Sequence, residues 1–176
     1  MCGHALFFAG WKYNEVGKET EMRIYEAECT DAVTGHLIRL SREWEAEDSC
    51  RGYRANTPED LMERRIFLAE ENGEIQGYLF GIRKEAERSS TVMEKGTPFF
   101  EVEELYVVPE WRNRGIGRKL FEFAETQVQD EAEVILLSTA TKNWRAVLHF
   151  YLEELDLEFW SATLFKHLTG ASLHEK

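Results

Sequence analysis

Residues 104–123 read ELYVVPEWRNRGIGRKLFEF. The opening ELYVV is rich in β-branched and aromatic side chains, the composition of a strand, and Pro109 ends it because proline brings no N–H to a ladder. From Gly115 onward Ile116, Leu120, Phe123, Ala124 and Val128 recur on one face at helical spacing. The next apolar segment, AEVILLSTA (132–140), is a continuous run, the pattern of a strand buried on both faces. Strand, helix and buried strand make a βαβ unit, whose two strands are parallel neighbours joined by a right-handed crossover. The fold class that follows is α/β (α+β), a mixed sheet flanked by helices.

Working upstream, FFEVEELYVV (99–108) is the full extent of that first strand. Before it, RIFLAE and IQGYLFGI are two strands joined through Asn72-Gly73, a strong hairpin signal. The polar stretch 83–98 reads as an exposed connection. EMRIYEAECT (21–30) reads as an earlier strand and HLIRLSREWEAE (36–47) as a helix with Leu37, Leu40 and Trp44 on one face. A second helix starts at Pro58 behind Thr57 as N-cap. Downstream, NWRAVLHFYLEEL (143–155) reads as a last helix and LEFWSATLFKHL (157–168) as a closing strand. Residues 1–20 read as a tail or strap, 21–168 as a single domain and 169–176 as a C-terminal tail.

At 176 residues, with 43% hydrophobic and 31% charged residues, the chain is sized to bury one core without staples. With 33 acidic against 21 basic residues, nucleic-acid binding through phosphate neutralisation is disfavoured. No apolar run approaches the roughly 18 residues of a membrane span. Cys2, Cys29 and Cys50 show no metal-ligand spacing, so no metal is expected, and a reducing, cytoplasmic setting fits.

In this acidic chain the densest basic cluster surrounds two glycines at a strand-to-helix turn. Amides at a helix N-terminus have no intrahelical partner, and glycines 115 and 117 let an anion approach them. Arg112, Arg114, Arg118 and Lys119 add positive charge, so the turn reads as a pyrophosphate cradle; from the glycines alone, a tightened helix start with solvated arginines fits as well. A P-loop is excluded because Arg118 follows Gly117, and a dinucleotide fingerprint because Leu120 stands where its third glycine belongs.

The remaining pattern, R-x-x-G-x-G after ELYVVPEW, together with the element order from residue 21 to 168, resembles the GNAT superfamily of acyl-CoA N-acyltransferases. The resemblance implies a splayed parallel strand pair and acetyl-CoA as co-substrate. It implies that backbone amides of Asn113, Arg114, Gly115, Ile116, Gly117, Arg118 and Lys119 hold the pyrophosphate, reinforced by Arg112 or Arg118. It also implies that Leu105, Tyr106 and Val107 pair with the pantetheine arm, that amides around Val107 face the reacting carbonyl, and that Asn143 contacts the arm. Tyr151 stands where the family keeps its general acid, although Asn143 to Tyr151 is one residue longer than the usual spacing and Asp156 replaces the usual glycine.

Glu103 matches the carboxylate that some relatives use as a base, with Glu101 and Glu104 as open alternatives. Strict alternation puts Glu101 and Glu103 on the face of Leu105 and Glu104 on the other. Trp44, Tyr53, Glu43, Glu47 and Asp48 suggest an aromatic, acidic cup for a small cationic amine. The expected function is therefore direct acetyl transfer to a primary amine of a polyamine-like or aminoglycoside-like molecule, with a non-catalytic acyl-CoA sensor or a protein N-acetyltransferase as the alternatives. A homodimer is left open.

Overall fold

The computed structural model describes residues 12–13 and 20–166. One mixed sheet runs in the order β1 (Lys12–Tyr13), β2 (Thr20–Ala27), β3 (Arg65–Glu71), β4 (Glu74–Glu85), β5 (Pro98–Val107) and β6 (Val134–Leu137). Every neighbouring pair is antiparallel except β5 and β6, which are parallel. Both hairpin residues, Asn72 (φ 54°) and Gly73 (φ 81°), adopt the left-handed backbone that a tight two-residue turn requires.

Helices α1 (Asp31–Glu47) and α2 (Pro58–Leu61) cover one face of the sheet, and α3 (Ile116–Val128) covers the other. Leu37, Leu40 and Leu61 pack on Ile66, Leu68, Tyr78, Phe80 and Tyr106. On the opposite side Leu120, Phe121, Ala124 and Val128 pack on Phe67, Leu79, Phe100 and Val102. Because β3 and β4 are buried on both faces, apolar residues stand at consecutive positions, Ile66 to Ala69 and Tyr78 to Phe80; each buried Leu or Phe contributes about 1.5–3 kcal/mol relative to exposure.

Several boundaries differ from the sequence reading. Helix α1 begins five residues earlier than expected, at Asp31, because Thr30 Oγ1 accepts the Val33 amide and caps it. Strand β1 lies inside the stretch read as a tail; it is two residues long and pairs with the start of β2. Phe121 rather than Phe123 is the buried aromatic of α3. The β4–β5 hairpin extends to Glu85 and Pro98, shortening the exposed connection at both ends.

Strand β6 is half-buried rather than enclosed on both faces, and among the described residues it is the last strand of the sheet. The closing strand expected over 157–168 forms no ladder over 157–166, where Phe159, Trp160, Leu164 and Phe165 stay exposed; positions 167 and 168 lie outside the described residues, as do 169–176.

The pairing of β5 with β6 stops at Val102 and Leu137, while β5 continues to Val107. Past that point the β6 side of β5 has no ladder partner among the described residues, which leaves a gap beside its edge. Register decides which groups of β5 face it. The amide of Val108 donates to the Gln76 carbonyl, so Tyr106 and Glu104, in step with it, direct their backbone groups to β4. Leu105 and Val107 direct theirs into the gap.

Candidate active site

The loop that enters α3 is built on left-handed residues. Asn113 (φ 59°) and Gly115 (φ 74°) turn the chain, and Gly115 is the N-cap of α3. The first turn closes through Lys119 N–H to Gly115 O at 3.1 Å. That bond uses the Lys119 amide, removing it from the expected cradle, and leaves the Ile116, Gly117 and Arg118 amides as the helix-end donors. A Cβ on Gly117 would stand 3.4 Å from the Phe150 ring, so this turn lies directly beside the last helix.

The basic side chains around it are engaged. Arg114 lies over the Trp111 ring at 4.6 Å and Arg118 pairs with Glu122 at 2.7 Å. Arg112 donates from Nε to the Val107 carbonyl at 2.8 Å and from Nη2 to both oxygens of Glu47 at 2.8 and 2.9 Å. Any anion held here is therefore held by backbone amides first.

The acids of β5 are arranged by a bulge. Phe80 is opposite Glu104 and Gly81 is opposite Val102, which leaves Glu103 as the extra residue. Gly81 permits the close approach at this step, because a Cβ there would lie 2.3 Å from the Glu101 carbonyl oxygen. The bulge resets the alternation, correcting the expected faces: Leu105 packs with Val102 toward α3, whereas Glu103 and Glu104 both turn to the α1/α2 side.

Their surroundings there are unlike. Glu103 accepts from Arg64 Nε at 2.7 Å and Nη2 at 3.2 Å. Glu101 pairs with Lys84. Glu104 has no basic partner described; its Oε2 accepts from Tyr78 Oη (2.8 Å), Asn56 Nδ2 (2.9 Å) and Tyr53 Oη (3.2 Å), and none of these contacts uses Oε1. Burial raises the Glu104 carboxyl above the ordinary carboxylate range, and the three donors only partly offset it.

Tyr53 and Asn56 come from the loop between α1 and α2, which spans the opening of the gap. One side of the loop is tied to Glu104 and, through the Asn56 amide, to Ser41 Oγ at 3.0 Å. Its other side forms an antiparallel bridge between Cys50 and Thr141, flanked by Arg51 N–H to Ala140 O (3.0 Å) and Lys142 N–H to Ser49 O (2.8 Å).

The acidic cup expected here is altered by its partners. Glu43 pairs with Arg39, Glu47 with Arg112 and Asp48 with Lys142. Trp44 and Tyr53 pack against each other at 4.3 Å, and Trp44 lies 5.4 Å from Tyr106. Among these wall residues Glu104 is the carboxylate that meets only neutral donors.

On the far side of the gap, Asn143 is the exposed N-cap of α4 (Trp144–His149), its amide bonded to Thr141 Oγ1. The helix then opens into a π turn over Phe150–Glu154, closed by Leu155 N–H to Phe150 O. A π turn takes up one extra residue, here within Phe150–Glu154. Asp156 (φ 56°) adopts the left-handed backbone that the usual glycine would supply. Tyr151 packs on Phe150 (5.1 Å) and Phe121 (6.5 Å), and burial pushes its phenol up to about 12.

Cys50 sits in the bridge to Thr141, and burial chiefly raises its thiol. Nothing in the spacing of the cysteines signalled this. Among the described residues no His, Cys, Asp or Glu cluster could hold a metal ion, and no helix is long and apolar enough to cross a membrane.

Comparison with known proteins agrees with this architecture. The acetyltransferase (GNAT) domain family matches residues 62–153, just over half of the chain, and the chain belongs to that family of acetyltransferases. No functionally curated protein matches it. An aminoglycoside acetyltransferase from an uncultured soil metagenomic sample, solved with sisomicin, is similar in fold, with a TM-score of 0.60 and 21% identity over 84% of this chain and 97% of that one. A second soil-metagenome aminoglycoside acetyltransferase gives 0.62 and 18% over 84% and 99%. A Bacillus halodurans protein described as a transcriptional regulator gives 0.61 and 18% over 84% and 99%.

Proposed function

We propose that the protein transfers an acetyl group from acetyl-CoA directly to a primary amine of a small cationic acceptor in a reducing cytosol. The reading is supported by the Glu104 carboxylate, held at one oxygen by neutral donors beside a strand edge, open at Leu105 and Val107, that leads to the glycine-capped start of α3. The residues fit the cofactor: the first-turn amides of α3 meet no intrahelical acceptor, Gly115 and Gly117 bring no side chain over them, and the Val107 N–H points into the gap.

Acetyl-CoA supplies the activated acetyl thioester. The amides of Ile116, Gly117 and Arg118 bind its pyrophosphate, and Leu105 and Val107 align the arm along β5. Val107 N–H donates toward the carbonyl oxygen as negative charge grows there. Glu104 takes the amine proton at Oε1 while Oε2 is held by its three donors. Tyr151 keeps its proton through the neutral range and gives it to the departing sulfur. The new bond is C–N and the broken one C–S; of the two protons an ammonium acceptor loses, Glu104 takes one, and the other, shed from nitrogen after attack, replaces the proton that Tyr151 gives to sulfur.

A carboxylate that attracts an ammonium ion also favours that ion's charged form, which opposes transfer. Burial of Glu104 eases the conflict, since its raised pKa makes it the stronger proton acceptor. A small acceptor is favoured because the loop carrying Tyr53 and Asn56 crosses the mouth of the gap, and a cationic one because the Glu104 charge meets no basic partner. Calorimetric titration with acetyl-CoA, followed by thiol release over a panel of polyamines and aminoglycosides, tests the reading. Micromolar binding with turnover of a cationic amine supports it; tight binding with no turnover of any amine overturns the enzymatic part, and absence of binding overturns the whole.

A further inference from the structure

Glu47 is the last residue of α1, and its carboxylate gathers three parts of the molecule. It accepts from Tyr106 Oη at 2.8 Å and from Arg112 Nη2 at 2.8 and 2.9 Å. Arg112 opens the R-x-x-G-x-G loop, lies 5.4 Å over the Tyr106 ring and donates Nε to the last gap-facing carbonyl of β5 at 2.8 Å. Immediately after Glu47 the chain turns through Asp48 (φ 49°) into the loop that delivers Tyr53 and Asn56 to Glu104. One ion pair therefore joins the base of the loop that crosses the gap to the base of the loop that starts α3.

We infer that the Arg112–Glu47 pair is a positioning device that couples the two loops, so that occupation of the α3 loop stiffens residues 48–57. This rests on the acetyl-CoA reading above. A pyrophosphate drawn onto the amides of 116–118 immobilises the segment beginning at Arg112. Through two charge-assisted bonds on one carboxylate, that restraint reaches the end of α1 and the Asp48 hinge. Thermodynamic coupling is reciprocal, so an acceptor held under the 48–57 loop strengthens cofactor binding by the same factor. Arg112 thus acts through Glu47 and does not serve as a pyrophosphate ligand.

The test is hydrogen exchange read by mass spectrometry, with and without CoA, on the full chain and on E47Q and R112Q. In the unsubstituted protein, CoA is expected to slow exchange of amides in both 112–118 and 48–57, the latter about fivefold, at the low end of usual couplings. In E47Q the slowing at 48–57 is expected to vanish or CoA uptake to weaken about fivefold, since among the described contacts Glu47 reaches the α3 loop only through Arg112. The E47Q/R112Q double substitution should be no worse than the more damaging single one.

R112Q guards against a folding defect peculiar to E47Q, and circular dichroism reports on both. Protection at 112–118 with 48–57 unchanged overturns the coupling alone. Full transmission in both variants overturns it as well. A protein that takes up no CoA overturns the acetyltransferase reading and the coupling with it.

Discussion

Glu103 and Glu104 are consecutive carboxylates on one side of the same strand, and Arg64 neutralises the first while tyrosine and asparagine donors alone meet the second. The difference predicts separable effects. Glu104→Gln should lower kcat about 100-fold or more with acetyl-CoA affinity nearly unchanged, as loss of a general base does. Glu103→Gln breaks a half-buried, two-bond ion pair and should cost about 1 kcal/mol of stability with a smaller effect on kcat. Thiol-release kinetics and thermal melts on both variants decide the matter, and the reverse pattern would return the base to Glu103.

The pH dependence follows from the same carboxyl. Its folded pKa is raised, so activity should climb with pH as Glu104 loses its proton, and the climb should lie above the ordinary carboxylate value of about 4.3. No alkaline fall from Tyr151 is expected below its pKa of about 12. Tyr151→Phe should therefore lower kcat and leave the acid limb in place.

Stability should move the opposite way. Between the unfolded and the raised folded pKa of Glu104, the folded state holds more protons than the unfolded one. Its contribution is fully present below the ordinary value and is lost as pH rises through the raised one. Melting temperatures of wild type and Glu104→Gln from about pH 4 to about pH 8 should diverge in favour of the variant as pH rises; parallel curves would mean the carboxyl is not raised.

Gly117 offers a steric test of the cradle. Phe150 blocks one direction at 3.4 Å, so the side chain in Gly117→Trp must displace that ring or lie across the first-turn amides. CoA affinity should fall by about 100-fold, the loss of one or two charge-assisted hydrogen bonds. Gly117→Ala only touches Phe150 and should keep the fold. Unchanged affinity in the tryptophan variant would remove the pyrophosphate from this turn.

Gly81 tests the bulge itself. A methyl group there would meet the Glu101 carbonyl oxygen at 2.3 Å and the Phe100 ring at 2.8 Å. Gly81→Ala should cost about 2–3 kcal/mol and lower the melting temperature by roughly 4–12 °C.

Sequence carried the architecture because most elements announce themselves locally. Asn72-Gly73 can hardly be anything but a tight turn, and the β5–α3–β6 unit follows from a change of hydrophobic period. The start of α1 was harder, since β-branched Val33 and Thr34 and then Gly35 obscure a helix that Thr30 nevertheless caps. The bulge leaves no local signature: three acids in four positions look like strict alternation until Gly81 shows where β4 comes close. The state of Arg112 is equally hidden, because its partner Glu47 lies 65 positions upstream. The aromatic residues after Leu157 misled because an apolar, aromatic composition alone makes no strand; a partner edge must also be engaged.

The place where β5 leaves β6 also sets a ruler. Residues 103–107 run beyond the last paired residue, Val102, which at about 3.3 Å per residue is roughly 17 Å of unladdered edge. For an extended molecule anchored at the α3 end, that length fixes where its far end stops, and the stop falls at the bulge. One more β5–β6 pair would shorten the ruler by a residue and leave the two acids where they are. Reach along the strand and chemistry across it are thus set by separate features, and either can vary without the other.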